Sequence, residues 1–232
     1  MTSALGKDPR GRSTVAIGLA ILAFAIGWVA TRQSGPVLRT VAAWRDARDF
    51  ARALKREWPT LASSGARLDS GAGEVALVEF SDYQCPFCRL ANYAVDSAIT
   101  AVGLTVAYHH YPLKSIHSQA EGAARAAICA ENQGHFREMH HYLMTTNTWY
   151  TDSNWVAAAT AAQVEDLPKF SSCLADSATA RRLTADIALG DALHLTGTPM
   201  FLSRDSLLAG VRSAAYFTAF SRNSSSSKGP GR

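Results

Sequence analysis

Cys85 and Cys88, two cysteines separated by two residues, are the side chains of this 232-residue chain best suited to chemistry. They follow the apolar segment Val75–Phe80, and Pro86 comes directly after the first of them. Proline cannot donate in a strand ladder, but it is favoured in the first turn of a helix. The spacing therefore predicts a buried strand that ends before Cys85 and a helix that begins there.

A position at the start of a helix has a consequence for the thiol of Cys85. Unpaired N–H groups and the positive end of the helix dipole lower the pKa of such a cysteine from about 8.5 toward roughly 3.5–7. The thiolate is the nucleophile in thiol–disulfide exchange. Cys88 lies one helical turn further on. We expect it to be more covered and to attack a mixed disulfide formed on Cys85.

A Cys-x-x-Cys pair can also be half of a zinc site, for which a second close pair of cysteines is usual. The candidates for the remaining ligands are Cys129, Cys173, His109, His110 and His117. The two remaining cysteines are far apart in sequence and do not form such a pair. A structural disulfide within one helical turn would close too short a loop to stabilise the fold much. Redox chemistry without a metal or a cofactor is therefore predicted.

Composition and charge restrict the class of partner. The chain is 47% hydrophobic and 18% charged with a net charge of +4, which is ordinary for a globular protein. Several basic residues lie outside the segment that is expected to fold, and no basic stripe is interleaved with aromatic residues. Nucleic-acid binding is therefore not predicted.

The N-terminal segment predicts a membrane anchor. A polar head at residues 1–12 precedes residues 13–31, which are 19 positions without a charge. This is just long enough for a helix to span a bilayer, and Trp28 suits the interface. A cleaved signal peptide is the alternative, although the apolar run is long and no small-x-small site follows it. Basic residues lie on both sides of the span, so charge does not determine the orientation.

Residues 32–73 are predicted to form an amphipathic helix and a linker. The apolar face of the helix comprises Val37, Val41, Trp44, Ala51, Leu54 and Trp58. Pro59 is expected to end this helix. A packed or stalk helix is favoured over one that lies on the membrane. Residues 63–73 are either a linker or a short edge strand.

The order of predicted elements from Glu74 onward limits the fold. Strand Glu74–Ser81, a helix from about Cys85 to Ala101 and strand Thr105–Tyr111 form a βαβ unit with parallel strands. Gly103 stops the helix. A block of helices follows, comprising Ser118–Asn132, His135–Met144, Asp152–Val164 with Asp152 as N-cap, Leu167–Ala175 and Ala178–Leu193. The last elements are strands Met200–Ser203 and Leu207–Val211 and helix Ser213–Ser221. The sum is a four-stranded mixed sheet with an inserted helical domain.

This order, together with two sequence blocks, resembles the DsbA-like branch of the thioredoxin superfamily. The blocks are Val78-Glu79-Phe80-Ser81-Asp82-Tyr83-x-Cys85-Pro86-Phe87-Cys88 and Gly197-Thr198-Pro199-x-Phe201. The resemblance covers roughly Glu74 to Phe220 and implies an α/β fold with a thioredoxin-like βαβ + ββα sheet. The predicted divisions are the head at residues 1–12, a transmembrane helix at 13–31, the helix and linker at 32–73, the thioredoxin-like domain at 74–116 and 195–222, the helical domain at 117–194 and a disordered tail at 223–232.

The resemblance implies a protein disulfide oxidoreductase. Cys85 would be its exposed nucleophile and Cys88 its partner, with Pro86 and Phe87 tuning the redox potential. The substrates would be extended or unfolded proteins that contain cysteine. A membrane protein of the quinone-linked DsbB type or the vitamin-K-epoxide-reductase (VKOR) type would reoxidise the enzyme. The expected location is the bacterial inner membrane, with a single span and the catalytic domain in the periplasm.

Three further residues receive roles from the resemblance. Pro199 would be a cis-proline facing the cysteines, and Thr198 would pair through its backbone with a substrate strand. Glu79 would be a buried acid of raised pKa that exchanges a proton with Cys88. The alternatives are an ordinary trans turn at Thr198-Pro199 and an edge-strand charge at Glu79 that faces water.

Cys129 and Cys173 lie in the predicted helical block. Buried free cysteines are common, whereas an even number of cysteines favours pairing in an oxidising compartment. The resemblance implies a second disulfide at similar places, so this pair is a candidate structural bridge.

The sequence leaves the direction of electron flow open. Thioredoxin-like reductants and DsbA-like oxidants differ by about 150 mV, or roughly 7 kcal/mol. Disulfide formation is the first hypothesis, and a dedicated reductase or isomerase is the second. The third is a non-catalytic binding or chaperone module.

Overall fold

The structure is a computed structural model that describes residues 47–69 and 73–226. The predicted head at residues 1–12, the predicted transmembrane segment at 13–31, residues 32–46 of the predicted amphipathic helix and residues 227–232 of the predicted tail lie outside the described residues. Residues 223–226, which were predicted to be disordered, belong to the last helix, so that boundary of the tail is wrong. Within the described part, none of the helices has both the length and the apolar character needed to cross a membrane. The chain divides after Phe50, and the fold described below is that of the unit Ala51–Arg232.

Helix α1 covers residues 47–64, and it continues through Pro59. The prediction that this proline ends the helix is therefore wrong. Trp58 and Leu61, on either side of it, are buried, as is Leu54 one turn earlier. Because this apolar face is packed, its burial outweighs the one helical hydrogen bond that a proline cannot make. Ala51, which was predicted to lie on the same face, is exposed.

A five-stranded sheet forms the centre of the unit, in the order β1-β3-β2-β4-β5. The strands are β1 Ala66–Arg67, β2 Leu77–Ser81, β3 Val106–His110, β4 Met200–Leu202 and β5 Leu207–Ala209. Strand β2 pairs in parallel with β3 and antiparallel with β4, so it is the central strand. The predicted count of four strands is wrong because β1 adds an edge to β3, and β1 confirms the alternative of a short edge strand within residues 63–73. A strand of two residues is too short to show any period in the sequence.

All residues of β2 and β3 are buried, because helices cover both faces of the sheet. Phe80 stacks on His109 and lies beside Gly190 of a helix on one face. Side chains alternate along a strand, so Glu79 and Ser81 point to the opposite face, where the helix that carries Cys88 packs.

Eight further helices are described, and most lie within two residues of their predicted bounds. They are α2 Pro86–Val102, α3 Ala120–Glu131, α4 Phe136–Thr145, α5 Trp149–Asp152, α6 Trp155–Ala161, α7 Leu167–Ala175, α8 Ser177–Ala192 and α9 Ala214–Ser226. Helix α2 ends at Gly103 in the left-handed conformation, as predicted. The order is therefore a βαβ unit, a helical block and a ββα unit.

The single helix predicted at Asp152–Val164 is two helices, α5 and α6. Ser153 has a φ of 50°, which ends α5. The N-cap of α6 is Asn154, whose side chain accepts from the N–H of Ala157 at 3.0 Å. The prediction of Asp152 as N-cap is wrong, because its carboxylate instead accepts from the N–H of Asn154.

A disulfide joins Cys129 of α3 to Cys173 of α7 across 44 positions of sequence. This is the bridge that the resemblance implied. It links two helices that pack against each other in the helical block.

Candidate active site

Cys85 is the residue immediately before helix α2, as the proline after it predicted. Its backbone is extended, with φ −71° and ψ 120°, and its N–H donates to the carbonyl of Asp82 at 3.1 Å. Its own carbonyl accepts from the N–H of Arg89, which begins the hydrogen bonding of the helix. Cys88 lies one turn further on, and both cysteines are free thiols. The turn from β2 into α2 therefore places the two sulfurs at the N-terminal end of the helix.

The Thr198-Pro199 peptide bond is cis and immediately precedes strand β4. Because β4 pairs with β2, this turn is brought to the end of β2 from which the cysteines follow. The sulfur of Cys85 lies 3.6 Å from the carbonyl oxygen of Thr198, a residue 113 positions away in sequence. The predicted cis bond and the predicted meeting of the two sequence blocks are confirmed.

The two sulfurs have opposite electrostatic surroundings. A hydrogen bond from Cys88 is the largest influence on Cys85 and, with N–H groups of residues 87 and 88, lowers the pKa of its thiol to about 6 despite partial burial. Burial raises the pKa of the Cys88 thiol far above its ordinary value, and the hydrogen bond to Cys85 acts in the same direction. Cys85 therefore holds the thiolate while Cys88 keeps its proton.

Cys85 is less accessible than the resemblance implied. The expected exposed nucleophile is 4% exposed, and Cys88 is completely covered. The Thr198 carbonyl lies against the Cys85 sulfur, and Tyr150 of α5 donates to the carbonyl of the neighbouring Gln84 at 3.5 Å. The prediction of an exposed Cys85 is therefore wrong, whereas the predicted order, with Cys88 the more covered of the two, is confirmed.

The residues around the first cysteine are far more exposed than its sulfur. Phe87 is 61% exposed, and Leu90 and Tyr93 follow it along the same side of α2 with similar exposure. Among the residues that the structure describes, these three are among the most exposed large apolar side chains. They form an apolar stripe on the helix that begins at Cys85.

Glu79 is buried in the central strand, opposite Tyr108 of β3. Burial raises its pKa to about 8, an effect larger than the opposing hydrogen bond from Ser81. The alternative of an edge-strand charge facing water is excluded by this position. At neutral pH the side chain is therefore a protonated acid next to the sheet face that Cys88 covers.

Ser81 is a residue of the site that the sequence did not reveal. It is buried at the end of β2, and its hydroxyl lowers the pKa of both Glu79 and Cys88. Its oxygen nevertheless has no partner at regular hydrogen-bond geometry. A serine two residues from a buried acid carries no motif, so only the pleat of the strand identifies it.

The three histidines considered as zinc ligands are separated in the structure. His117 contacts Asp82, and His109 contacts Asp186. His110 is completely buried, which lowers its pKa to about 4. In the described ranges, no group of three or more His, Cys, Asp or Glu side chains is arranged to hold a metal ion.

Residues 76–219 match the family described as DSBA-like thioredoxin domain. The chain is also similar to a linker-deletion mutant of ScsC from Proteus mirabilis, with a TM-score of 0.70, 18% identity and coverage of 97% of this chain and 99% of that one. A second similar structure is the thiol-disulfide exchange protein alpha-DsbA2 from Wolbachia pipientis, with a TM-score of 0.67, 16% identity and coverage of 77% and 97%. At these identities the two structures support the fold.

The chain is also similar in sequence to part of the Na(+)/H(+) antiporter NhaA 3 of Salinispora tropica. The two are 33% identical over 128 residues, which are 55% of this chain and 20% of that protein. The chain thus spans about a fifth of the length of this relative.

Proposed function

Because this chain belongs to the DSBA-like thioredoxin domain family of thiol–disulfide oxidoreductases, we propose that it forms disulfides in extracytoplasmic proteins through a Cys85–Cys88 cycle. The observation that carries the proposal is the contrast between the two sulfurs. Cys85, with a thiol pKa of about 6, is about nine-tenths thiolate at pH 7, because the ratio of thiolate to thiol changes tenfold per pH unit. A thiolate that is stabilised in the reduced enzyme makes the disulfide a better oxidant.

The proposed cycle starts from the Cys85–Cys88 disulfide. A substrate thiolate attacks the sulfur of Cys85, the disulfide breaks, and the electron pair leaves on Cys88. Glu79, which is protonated at pH 7 because its pKa is about 8, supplies the proton that Cys88 takes up. Water then restores the proton of Glu79.

The second substrate thiolate attacks the substrate sulfur of the mixed disulfide, and Cys85 leaves as a thiolate. The substrate has lost two electrons and two protons, and the enzyme has gained the two electrons. A thiol of low pKa is a good leaving group, so the surroundings of Cys85 favour this release. The chemistry uses no metal and no cofactor.

Substrate binding is proposed at the Thr198-Pro199 turn. An extended peptide that adds to this turn by backbone pairing with Thr198 would bring its cysteine to the adjacent Cys85 sulfur. The apolar stripe of Phe87, Leu90 and Tyr93 would contact apolar side chains of an unfolded client. Folded proteins would be poor substrates, because the sulfur of Cys85 is nearly covered.

The location and the redox partner are proposals from the sequence. The uncharged segment at residues 13–31 supports a single-pass anchor in the bacterial inner membrane, with the catalytic unit in the periplasm. A membrane protein of the DsbB or VKOR type would reoxidise the cysteines there. After mild reduction of intact cells, a membrane-impermeant thiol reagent is expected to label Cys85. Labelling that requires lysis would contradict this orientation.

The redox potential of the Cys85–Cys88 pair tests the proposed direction. Equilibration of the full-length protein with glutathione is expected to give a potential above about −180 mV, in the range between protein disulfide isomerase and DsbA. The reduced protein should also be reoxidised by excess glutathione disulfide and then oxidise a reduced, unfolded client. A potential near about −270 mV, the value of thioredoxin, would contradict the oxidase.

A second candidate function is a dedicated reductase or isomerase. The observation that favours it is the pKa of Cys85, because about 6 is closer to the thioredoxin value of roughly 7 than to the DsbA value of roughly 3.5. The same potential measurement separates the two candidates.

A further inference from the structure

Asp82 contacts both cysteines through its main chain. It follows β2 directly, and its carbonyl accepts from the N–H of Cys85 at 3.1 Å. Its own N–H donates to the sulfur of Cys88 at 3.5 Å. A shift of the Asp82 backbone therefore alters the start of the active-site turn and removes a donor from the second sulfur.

The Asp82 carboxylate is completely buried and accepts from three donors. One oxygen accepts from the N–H of Gln84 at 2.7 Å. The other accepts from the N–H of Leu113 and from Nδ1 of His117, each at 2.8 Å. With Nδ1 of His117 in the tautomer that donates, all three contacts are donors, and a carboxylate has enough lone pairs to accept from each of them. In Asp82→Asn, the NH₂ group would face one of these donors and could not accept a hydrogen bond from it.

These donors come from two separate segments of the chain. Gln84 belongs to the active-site turn, whereas Leu113 and His117 belong to the loop between β3 and α3. A second contact joins the same two segments, because the N–H of Gln119 donates to the side chain of Gln84 at 2.8 Å. The loop after β3 is therefore hydrogen-bonded to the active-site turn, and the buried Asp82 carboxylate is the junction between the two segments.

His117 is partly exposed, with 15% of its side chain accessible, whereas the side chain of Asp82 is fully covered. Nδ1 of His117 is the donor to Asp82 that a side-chain substitution can remove, because the others are backbone groups. The hydrogen bond of His117 both fixes the carboxylate and disperses its negative charge. The carboxylate also accepts from the N–H of Gln84, the residue before Cys85, so without His117 a less compensated negative charge would lie against the active-site turn.

We propose that His117 and Asp82 form a positioning pair that keeps the Asp82 N–H on the Cys88 sulfur and thereby favours the reduced state of the Cys85–Cys88 pair. This inference rests on the proposed redox function. A thiol or thiolate sulfur accepts a hydrogen bond better than a disulfide sulfur, because it carries more negative charge. Loss of the pair weakens this bond and leaves negative charge near Cys85. Both effects disfavour reduction and make the pair less oxidising.

The test is the equilibrium constant of the full-length protein with glutathione, measured for wild type, His117→Ala, His117→Asn and His141→Ala. His117→Ala removes the donor and is expected to shift the equilibrium constant about three- to tenfold toward the oxidised protein, where tenfold equals about 30 mV. His117→Asn keeps an N–H donor near the position of Nδ1 and is expected to stay within about twofold of wild type. His141 is exposed on α4 and is the matched control, also within about twofold.

The outcomes separate the inference from the proposed function. Equal constants for His117→Ala and His141→Ala overturn the positioning pair, and so does a shift in His117→Asn as large as that in His117→Ala. A lower melting temperature without a shift of the constant also overturns it, because a merely structural contact would give that result. If wild type shows no reversible Cys85–Cys88 couple, the proposed redox function itself fails.

Discussion

The two pairs of cysteines in this chain stand at opposite ends of helices. Cys85 is the residue before the first turn of α2, and Cys88 lies within that turn. Cys129 lies two residues before the C-terminal residue of α3, and Cys173 lies two residues before that of α7. The positive end of a helix dipole favours a thiolate, and the negative end disfavours it. The first pair is therefore placed for reaction and the second for a bond that stays closed.

The polar neighbours of the two pairs differ in the same sense. Around Cys85, hydrogen bonds from Cys88 and from backbone N–H groups lower the thiol pKa to about 6. Around the disulfide, the Thr179 hydroxyl lies 3.2 Å from the sulfur of Cys173 and 3.8 Å from that of Cys129, and the side-chain amide of Asn132 donates to Cys173 at 3.6 Å. Backbone N–H groups are not among these contacts. The position of a cysteine on its helix and the hydrogen-bond donors near its sulfur, rather than the residue type, therefore decide which cysteines exchange electrons.

Removal of the reactive sulfur should have the largest effect. We expect Cys85→Ser to lower the rate of disulfide transfer to a reduced, unfolded client at least about a thousandfold, because a hydroxyl does not replace the thiolate nucleophile. The matched control replaces Cys129 and Cys173 with alanine and should retain the rate within about threefold, measured at a temperature where it is folded. Transfer that survives Cys85→Ser would support the binding-module alternative instead.

Removal of the helical-block disulfide should affect stability rather than chemistry. Replacing Cys129 and Cys173 with alanine is expected to lower the free energy of unfolding by about 4 kcal/mol, the chain-entropy value for a loop of this length. Denaturant unfolding at pH 7 measures this. Replacing Cys85 and Cys88 with alanine should lower the free energy of unfolding, relative to oxidised wild type, by less than half as much. The reason is that the Cys85–Cys88 disulfide closes a very short loop. Equal costs for the two pairs would contradict the comparison.

Glu79, the buried acid near the reactive pair, should make the free energy of unfolding depend on pH. Its folded pKa of about 8 lies above the ordinary value of 4.5, so the folded state binds the proton more tightly than the unfolded chain. Wild type should therefore lose stability as pH rises from about 4.5 to 8, at roughly 1.4 kcal/mol per pH unit.

Glu79→Gln removes that loss. The variant should match wild type near pH 4 and be more stable by roughly 3 kcal/mol at pH 7, as measured by denaturant unfolding at both values. It should also protonate Cys88 more slowly during disulfide transfer. Glu138→Gln, an exposed site on α4, controls for the loss of a carboxylate. A stability difference that is the same at both pH values would exclude a raised pKa of Glu79.

The smallest effect expected is the pH dependence of Cys85 itself. Alkylation of the reduced protein by iodoacetamide should be half-maximal near pH 6 and rise about tenfold from pH 5 to 7, as the thiolate fraction does. Cys88→Ala removes the largest cause of the lowered pKa and should move the midpoint upward. Peptide mass spectrometry assigns the modified cysteine. A midpoint near the ordinary thiol value in wild type would contradict the contrast between the pairs.

Local rules predicted the elements that frame the site. Pro86 placed Cys85 immediately before α2, and Gly103 marked its end. The bounds of α7 were predicted without error, and in the structure an aspartate N-cap, Asp166, and a proline in the first turn define its start. Pro59 was misread for the opposite reason, since buried neighbours decide whether a helix continues through a proline.

The amino-acid sequence by itself determined which groups are able to react: a dithiol at a helix start, an acid in an apolar strand and a proline-bearing turn before another strand. These depend on interactions between near neighbours, which a single segment contains. Only the tertiary structure decided that Cys85 is 4% exposed, that Ser81 lies beside Glu79 and Cys88, and that His117 contacts Asp82. Burial and contacts between distant segments depend on how the helices pack over the sheet. A pattern within one short segment of sequence does not contain that information.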